Sequence, residues 1–292
     1  MKKIISFLTF PFISMSVVAQ QNEAKMENQI LSQEIENKKS PSVQYYFFNE
    51  DQIIETFQSG FADIANQKTA DENITYNAFS VTKTFTALAV LQLAEQGKID
   101  LDNPVIHYLP DFSYGSEITV KQILNHTSGI PNPIPLSWIH LAEEHSSFNR
   151  NNFFATVFKK KNNLKSKSGE KFSYSNLGYV VLGQLIEKIS GTTYEDYVSE
   201  HILQKLSLNS DDLSFTINNG ETHAKGYHKR LSLTNLLLGF FIDKSKFMGK
   251  SEGKWRPFKN FYVNGASYGG LIGKPKSFVK YIQELLKDDC IL

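Results

Sequence analysis

Cysteine is almost absent from the chain: its 292 residues include one, Cys290. A single thiol excludes an internal disulfide framework and a structural zinc site made from clustered thiolates. The folded state must therefore be stabilised by its core. With 41% hydrophobic and 21% charged residues, the chain has the composition of a globular protein, with enough apolar material for one large domain or two closely packed ones.

An excess of charge of one sign is also missing. Lys and Arg together number 31, and Asp and Glu 30, so the sequence lacks the net basic charge of many nucleic-acid-binding proteins. It has no phosphate loop and no dinucleotide-binding fingerprint. A lysine-rich stretch, 159–167, is interpreted as a solvated connection. We therefore expect no nucleic-acid partner, no cofactor and no metal, and we look for chemistry among the serine and histidine side chains.

Long apolar runs are confined to the N-terminus. Two lysines, an apolar stretch over 4–18 and a small-residue cleavage site ending at Ala19 predict a secretory signal peptide, residues 1–19. A membrane anchor is the alternative, but the stretch is short for a bilayer span and contains Pro11. We expect cleavage near Gln20, an exported protein that is periplasmic or secreted, and no stable membrane span in the mature chain.

The mature chain begins with strand signals. Residues 20–40 form a polar lead-in segment with the pattern of one modest amphipathic helix. Two runs rich in β-branched and aromatic residues, 42–48 and 52–57, then flank Asn49-Glu50-Asp51. This pattern predicts a β-hairpin with a three-residue turn. The hairpin opens the main predicted domain, residues 41–292.

The middle of the chain has helical periodicity. Apolar residues on nearly every side of 79–96 predict a buried helix that ends at Gly97. Capping pairs and periodicity predict three more helices: 120–125, opened by Thr119 and Gln122; 177–189; and 194–206, opened by Thr192 and Glu195. A last helix should place five apolar residues on one face: Phe278, Tyr281, Ile282, Leu285 and Leu286. The order of strands and helices predicts a sheet domain interrupted by a helical one.

The pattern Ser-x-x-Lys occurs four times in the sequence. About one match is expected by chance in a chain of this length, so the context of each match must decide. The matches at Ser168 and Ser251 lie in polar, glycine-containing loops, and the one at Ser277 has its lysine on the solvent side of a helix. Only Ser80 opens a long buried helix, with Lys83 one turn further on.

This placement suits a nucleophile and its base. Positions i and i+3 share a helix face, so the Lys83 amine can reach the Ser80 hydroxyl, and a helix N-terminus stabilises developing negative charge. Burial lowers the pKa of a lysine and so makes its amine a usable base. The alternative is a serine that only caps the helix, with a lysine that extends along its surface towards solvent.

A Tyr-x-Asn triplet occurs twice, as Tyr174-Ser175-Asn176 and Tyr262-Val263-Asn264. The first lies in a loop just before a predicted helix, where a phenol and an amide can project into a cleft; the second lies in a strand-like run. We therefore select the first. Tyr174 can relay the proton that Ser80 loses, and Asn176 can orient a substrate amide.

Four segments together resemble a known family. The sequence is similar, from about Pro41 to its last residues, to the serine β-lactamase and DD-peptidase-like family, and within it to class C β-lactamases and related esterases. The segments that carry the resemblance occur in the family's order: Phe79-Ser80-Val81-Thr82-Lys83, His126-Thr127-Ser128-Gly129-Ile130-Pro131, Phe172-Ser173-Tyr174-Ser175-Asn176-Leu177-Gly178-Tyr179 and Gly269-Gly270-Leu271.

The resemblance implies both a fold and a reaction. The expected fold is α/β (α+β): an antiparallel sheet with flanking helices plus a mainly helical domain. The expected activity is that of a serine hydrolase or acyltransferase with Ser80 as nucleophile, Lys83 as base, Tyr174 in the proton relay and Asn176 in contact with substrate. A β-lactam, a D-Ala-D-Ala-type peptide or an ester would form an acyl-enzyme that water then releases. The expected partner is thus a small-molecule or peptide substrate; the sequence carries no signal for an oligomeric state.

The sequence departs from the family in its third motif. Members carry a Lys/His-Thr/Ser-Gly triplet on a strand after the Tyr-x-Asn, but none follows Asn176 here. Lys167-Ser168-Gly169 matches the triplet but precedes Tyr174 in the sequence. We expect the C-terminal strands to be missing from this sequence. In the family that strand supplies one of two oxyanion-binding N–H groups, and losing one such donor costs ~10²–10³ in rate. The alternative function is therefore a non-catalytic remnant or binding protein.

A third hypothesis is a metallohydrolase. The segment from His140 to His145 resembles a zinc-hydrolase helix. A five-residue spacing on a 3.6-residue helix would point the two imidazoles about 140° apart. We therefore do not expect the two histidines to share a metal.

Overall fold

The computed structural model describes residues 28–290. The predicted signal peptide, 1–19, lies outside these residues, as does the start of the lead-in segment. The chain forms two compact units that divide between Asp71 and Glu72. Among the described residues, no helix has both the length and the apolar character needed to cross a bilayer. The predicted domain, 41–292, includes residues of both units and stays a prediction.

The first unit is the predicted hairpin with an added helix and strand. After a helix over 28–36 (α1), strand β1 (Ser42–Phe48) pairs antiparallel with β2 (Ile53–Asp63), which pairs with β3 (Lys68–Thr69). The turn between β1 and β2 is closed by Asn49, whose Oδ1 accepts hydrogen bonds from the N–H groups of residues 51 and 52 at 3.0 and 2.9 Å. The predicted hairpin is confirmed.

Strand β2 runs six residues past the predicted end at Phe57. The Gln-Ser-Gly sequence that follows looks like a turn, but Gly60 keeps the strand running next to Pro41. Its φ is +83°, and a Cβ at this position would lie 2.3 Å from the Pro41 carbonyl oxygen. Only glycine permits so close an approach of two backbones at this φ.

The second unit contains the remaining helices and short strands. Its main helices are α2 (Thr82–Glu95), α3 (Val120–Leu124), α4 (Arg150–Lys160), α5 (Asn176–Ser190), α6 (Tyr194–Val198), α7 (Leu233–Leu238), α8 (Lys244–Phe247), α9 (Ala266–Gly269) and α10 (Pro275–Leu286). Its strands are β4 (Tyr76–Asn77), β5 (Ile139–Leu141), β6 (Leu213–Ser214), β7 (Tyr227–Lys229), β8 (Trp255–Pro257), β9 (Phe261–Val263) and β10 (Ile272–Gly273). They pair antiparallel in three small sheets: β4-β10-β6, β5-β9 and β7-β8. The predicted α/β (α+β) class is confirmed.

Helices α2 and α5 form the centre of the core. Phe85 and Leu93 of α2 and Leu182 of α5 are fully buried, and Phe85 stacks on Tyr281 of α10 with ring centroids 3.8 Å apart. Burial on every side of α2, however, was a wrong expectation. Leu91, for example, is 47% exposed, because the helix packs its other sides against α5, α6 and α9.

The helix ends follow local capping rules, with one correction. The predicted capping box at Thr119 and Gln122 opens α3, and α5 ends at Gly191 with a φ of 77°. The cap of α6, predicted at Thr192, is instead Thr193, whose Oγ1 accepts the N–H of Asp196 at 3.1 Å. Both threonines fit the capping pattern. Because the helix begins at Tyr194, the residue directly before it, Thr193, is the cap.

The last helix buries only part of the face that its periodicity predicts, since Phe278 packs against the core but the C-terminal leucines do not. Tyr281 is buried, but Leu285 and Leu286 are 40% and 53% exposed. The buried positions include Ser277 and Glu284, so the inward stripe is rotated away from the most apolar one. Both Tyr281 and Phe278 of this helix contact the ring of Phe85.

Candidate active site

Ser80 lies in a 3₁₀ turn (Phe79–Val81) that leads directly into α2. The preceding residue, Phe79, has a φ of +45°, a left-handed conformation that is uncommon outside glycine and concentrates at functional sites. The turn is held from both sides by Leu271: its carbonyl accepts the N–H of Ala78 at 2.8 Å, and its N–H donates to Thr82 Oγ1 at 3.1 Å. This arrangement leaves Ser80 exposed to solvent at a helix N-terminus.

Lys83 reaches back along the same helix face to Ser80. Its Nζ donates to Ser80 Oγ at 3.2 Å, to Asn176 Oδ1 at 2.8 Å and to the Tyr268 carbonyl at 2.6 Å. The residue is 6% exposed, and these three acceptors are neutral oxygens. Desolvation by burial lowers the pKa of Lys83 to about 7, so a large fraction of the amine is unprotonated at neutral pH.

Tyr174 approaches the same serine oxygen from the loop before α5. Its Oη donates to Ser80 Oγ at 2.9 Å. Its ring also faces the lysine, with Lys83 Nζ 5.0 Å from the ring centroid. The rings of Tyr179 and Tyr268 lie at 5.5 and 5.4 Å from the same nitrogen, so the amine lies among three aromatic rings, within the range of cation–π attraction.

Asn176 is the first residue of α5 and holds the lysine amine. Besides accepting from Lys83, its side-chain Nδ2 and its backbone N–H both donate to Asn132 Oδ1, at 3.0 and 3.1 Å. The preceding Ser175 caps the helix through the N–H of Gly178, which fixes where Asn176 points. Its amide is thus engaged by protein groups, and a substrate contact for Asn176 stays a prediction.

Two further residues complete the site and were missed in the sequence. Asn132, directly after the His126–Pro131 segment, orients Asn176 as described above. His126 has a φ of +60°, accepts the N–H of Ser175 on Nδ1 at 3.2 Å and lies 4.4 Å from the Tyr174 ring. Burial, with a smaller contribution from the Lys83 charge, lowers the pKa of His126 to about 4, so it is neutral. The resemblance marked the His126 segment, but no pattern assigned either side chain a role.

The histidine pair of the third hypothesis is not on an α-helix. His140 belongs to β5 and His145 to a 3₁₀ turn. His140 Nε2 lies 2.9 Å from His145 Nδ1, with the rings 5° from parallel, and His140 Nδ1 lies 2.8 Å from Asn264 Oδ1. The predicted angle of about 140° between the two imidazoles was wrong, because the prediction assumed that both histidines lie on one continuous helix. Within residues 28–290, no group of three or more His, Cys, Asp or Glu side chains is placed to hold a metal ion.

The histidine pair lines a cavity separate from the serine. The cavity has a volume of about 720 Å³, and its walls include His140, His145 and Arg150. Neither Ser80 nor Lys83 is among the lining residues. The Asn of the second Tyr-x-Asn triplet, Asn264, also lies here, so that triplet does not contribute to the serine site.

The fold and the Ser80 site define a class, that of the serine hydrolases related to β-lactamases and penicillin-binding proteins. Residues 28–289 match the family described as Beta-lactamase, and the chain belongs to this family. The resemblance found in the sequence is therefore confirmed.

Comparison with individual proteins agrees with this assignment. Protein flp of Staphylococcus aureus (strain MW2) is 33% identical over 175 residues, which are 58% of this chain and 34% of that protein. The alignment thus spans about a third of that relative's length. Among solved structures, the octameric penicillin-binding protein homologue from Pyrococcus abyssi is 26% identical with a TM-score of 0.67, covering 92% of this chain and 57% of that one. The D-amino acid amidase from Ochrobactrum anthropi SV3, at 21% identity, shares the fold with a TM-score of 0.73 over 92% of this chain and 72% of its own.

Proposed function

We propose that the protein is a serine hydrolase or acyltransferase that works through an acyl-enzyme on Ser80. The observation that carries the proposal is the convergence of two proton-handling groups on one oxygen: Ser80 Oγ lies 3.2 Å from Lys83 Nζ and 2.9 Å from Tyr174 Oη. If Ser80 only capped the helix and Lys83 extended into solvent, the lysine amine would not be buried and no tyrosine hydroxyl would be needed next to Ser80. The lowered pKa of Lys83 supports its role as base.

In the proposed acylation step, the neutral amine of Lys83 accepts the Ser80 proton as Oγ attacks the acyl carbon. The N–H of Ser80, at the N-terminus of α2, donates to the oxyanion that forms. The bond to the leaving nitrogen or oxygen then breaks, Tyr174 passes its phenolic proton to that atom, and the proton held by Lys83 passes in turn to Tyr174. Water then attacks the serine ester; its oxygen stays on the released acid, and one of its protons goes to Ser80 Oγ.

The acyl donor is a β-lactam, a D-Ala-D-Ala-type peptide or an ester. The names of similar proteins support the nitrogen-linked donors, since one is a penicillin-binding protein homologue and another a D-amino acid amidase. We also propose that the protein acts after export to the periplasm or the outside of the cell. The signal-peptide pattern of residues 1–19 supports this localisation.

A second candidate is a binding protein that keeps the pocket without turnover. One observation favours it: the Asn176 amide is engaged by Lys83 and Asn132. The two candidates differ in whether Ser80 forms a covalent bond.

Labelling of Ser80 tests the proposal. The chain from Gln20 onward is exposed to a fluorescent penicillin and to a fluorophosphonate, and the intact mass is measured. We expect one adduct that Ser80→Ala abolishes. Ser251→Ala is the matched control, because Ser251 belongs to another exposed Ser-x-x-Lys match and should label as the parent does. No adduct from a chain with a cooperative unfolding transition would overturn the proposal in favour of the binding protein.

A further inference from the structure

Residues 225–259 carry large apolar side chains both in a small core and on the solvent-exposed surface. On the inner side, Leu238, Ile242, Phe247 and Met248 pack with Leu141 in a small core separate from the main one. On the outer side, six large apolar side chains between 231 and 241 face solvent. We name them the apolar tip; their exposed fractions are Leu231 84%, Leu233 71%, Leu236 65%, Leu237 46%, Phe240 80% and Phe241 38%. Six large apolar side chains exposed within eleven residues of chain point to an interaction surface.

Hydrogen bonds hold the apolar tip outward. Ser232 caps α7 by accepting the N–H of Asn235 at 3.0 Å, and Lys244 Nζ donates to the Asn235 carbonyl. At the base, β7 pairs with β8, and Arg230 N–H donates to the Lys254 carbonyl at 2.8 Å. The exposure is therefore a property of a hydrogen-bonded segment whose inner face is already packed.

The same segment carries a concentrated positive charge. Residues 225–259 contain nine Lys and Arg residues and two acidic ones, an excess of seven positive charges, whereas the whole chain has a formal net charge of +1. Arg230, Lys250 and Lys254 are exposed, and Lys254 and Lys229 lie 5.9 Å from the ring of Trp255. Apolar side chains flanked by Lys and Arg are typical of elements that lie in the surface of an anionic membrane.

We propose that residues 225–259 dock the protein on an anionic lipid bilayer. The apolar tip enters the boundary between headgroups and acyl chains, and the basic residues contact lipid phosphates. We favour an anionic bilayer over a second copy of the chain as the partner of this surface. Two copies meeting at this face would bring two strongly positive segments together, which repel each other. In this proposal the docking is peripheral, with the apolar tip lying in the surface of the bilayer.

Vesicle co-sedimentation tests the proposal. The protein is the chain from Gln20 onward, the predicted mature form, so that the apolar residues of the signal peptide cannot contribute. It is mixed with vesicles of phosphatidylcholine with and without phosphatidylglycerol. We expect binding to the vesicles that contain phosphatidylglycerol, at least about tenfold weaker binding to those without it, and weakening as salt is raised.

Two variants separate the apolar and the charge contributions. Leu236→Asn with Phe240→Asn should weaken binding at least about tenfold, because two inserted side chains are lost. Its control is Leu285→Asn with Leu286→Asn, which changes two exposed apolar residues of α10. Replacing Arg230, Lys250 and Lys254 with Gln should weaken binding about 10²-fold. Its control replaces Lys159, Lys160 and Lys161 with Gln, and both controls should bind within twofold of the parent.

Each other outcome overturns the proposal. Parent protein that stays in the supernatant with phosphatidylglycerol vesicles has no such docking surface. Controls that lose binding as much as the test variants would show that the bound surface lies elsewhere or is unspecific. A parent dimer that Leu236→Asn with Phe240→Asn converts to monomer, without vesicle binding, would assign the apolar tip to a second copy. Each variant must unfold at the parent's temperature for its binding to be compared.

Discussion

Lys83 Nζ lies 2.8 Å from Asn176 Oδ1, although the two residues are 93 positions apart in the chain. The contact joins α2, which directly follows the turn that contains Ser80, to the first turn of α5. It holds the amine against Ser80 while burial lowers its pKa. The site therefore depends on the packing of α2 against α5, and the expected effects of substitution follow from that arrangement.

The pH dependence of labelling should report the Lys83 amine. Because the pKa of Lys83 is lowered to about 7 and its neutral amine is the proposed base, the labelling rate should rise as pH increases from 5 to 9, with a midpoint near 7. The measurement is the second-order rate of adduct formation with a penicillin. Lys83→Arg, which stays charged, should be slower by about 10²-fold or more over the whole range. A flat profile in the parent protein would exclude Lys83 as the base.

Loss of the Tyr174 hydroxyl should slow acylation without unfolding the protein. Tyr174→Phe removes the Oη that donates to Ser80 at 2.9 Å, so we expect a rate about 10²–10⁴-fold lower. The residue is 36% exposed, and the melting temperature should change little. Tyr179→Phe is the matched control: its ring also faces Lys83, but its hydroxyl donates to the Leu124 carbonyl. Equal losses in the two variants would argue against a proton relay through Tyr174.

Asn132 should act as a positioning residue through Asn176. Asn132→Asp keeps an oxygen that accepts both Asn176 N–H groups but adds a negative charge near Lys83. A nearby negative charge favours the ammonium and raises its pKa, so the midpoint of the pH–rate profile should move above that of the parent. Asn132→Leu, which cannot accept, should lower the rate at every pH. A purely structural role would leave the midpoint in the aspartate variant unchanged.

The corrected helix cap gives a stability test. Thr193→Ala removes the oxygen that accepts the Asp196 N–H and should lower the free energy of unfolding by about 1 kcal/mol. Thr192→Ala, one residue earlier, is the matched control and should cost less than half of that. Urea denaturation of both variants measures the difference. Equal destabilisation would contradict the assignment of the cap to Thr193.

Several elements could be predicted because their signals are local. The hairpin turn at Asn49 and the capping box at Thr119 depend on residues within one turn of each other, and the structure has both. The same kind of signal failed where two neighbouring residues were equally suitable, as at the α6 cap. It also failed where a helix was assumed. A five-residue spacing sets the angle between two side chains only if both lie on one helix, but β5 ends between His140 and His145.

The sequence by itself determined that Ser80 and Lys83 share one face of a helix start, because an i, i+3 spacing is a property of the helix alone. Only the tertiary structure decided the rest of the site. The Tyr174 hydroxyl, the Asn176 amide and the Tyr268 carbonyl come from segments up to 185 residues away from Lys83, and their positions follow from the packing of α2, α5 and α9. The pKa of Lys83 is likewise a tertiary property, because desolvation depends on what surrounds the amine and not on its neighbours in the chain.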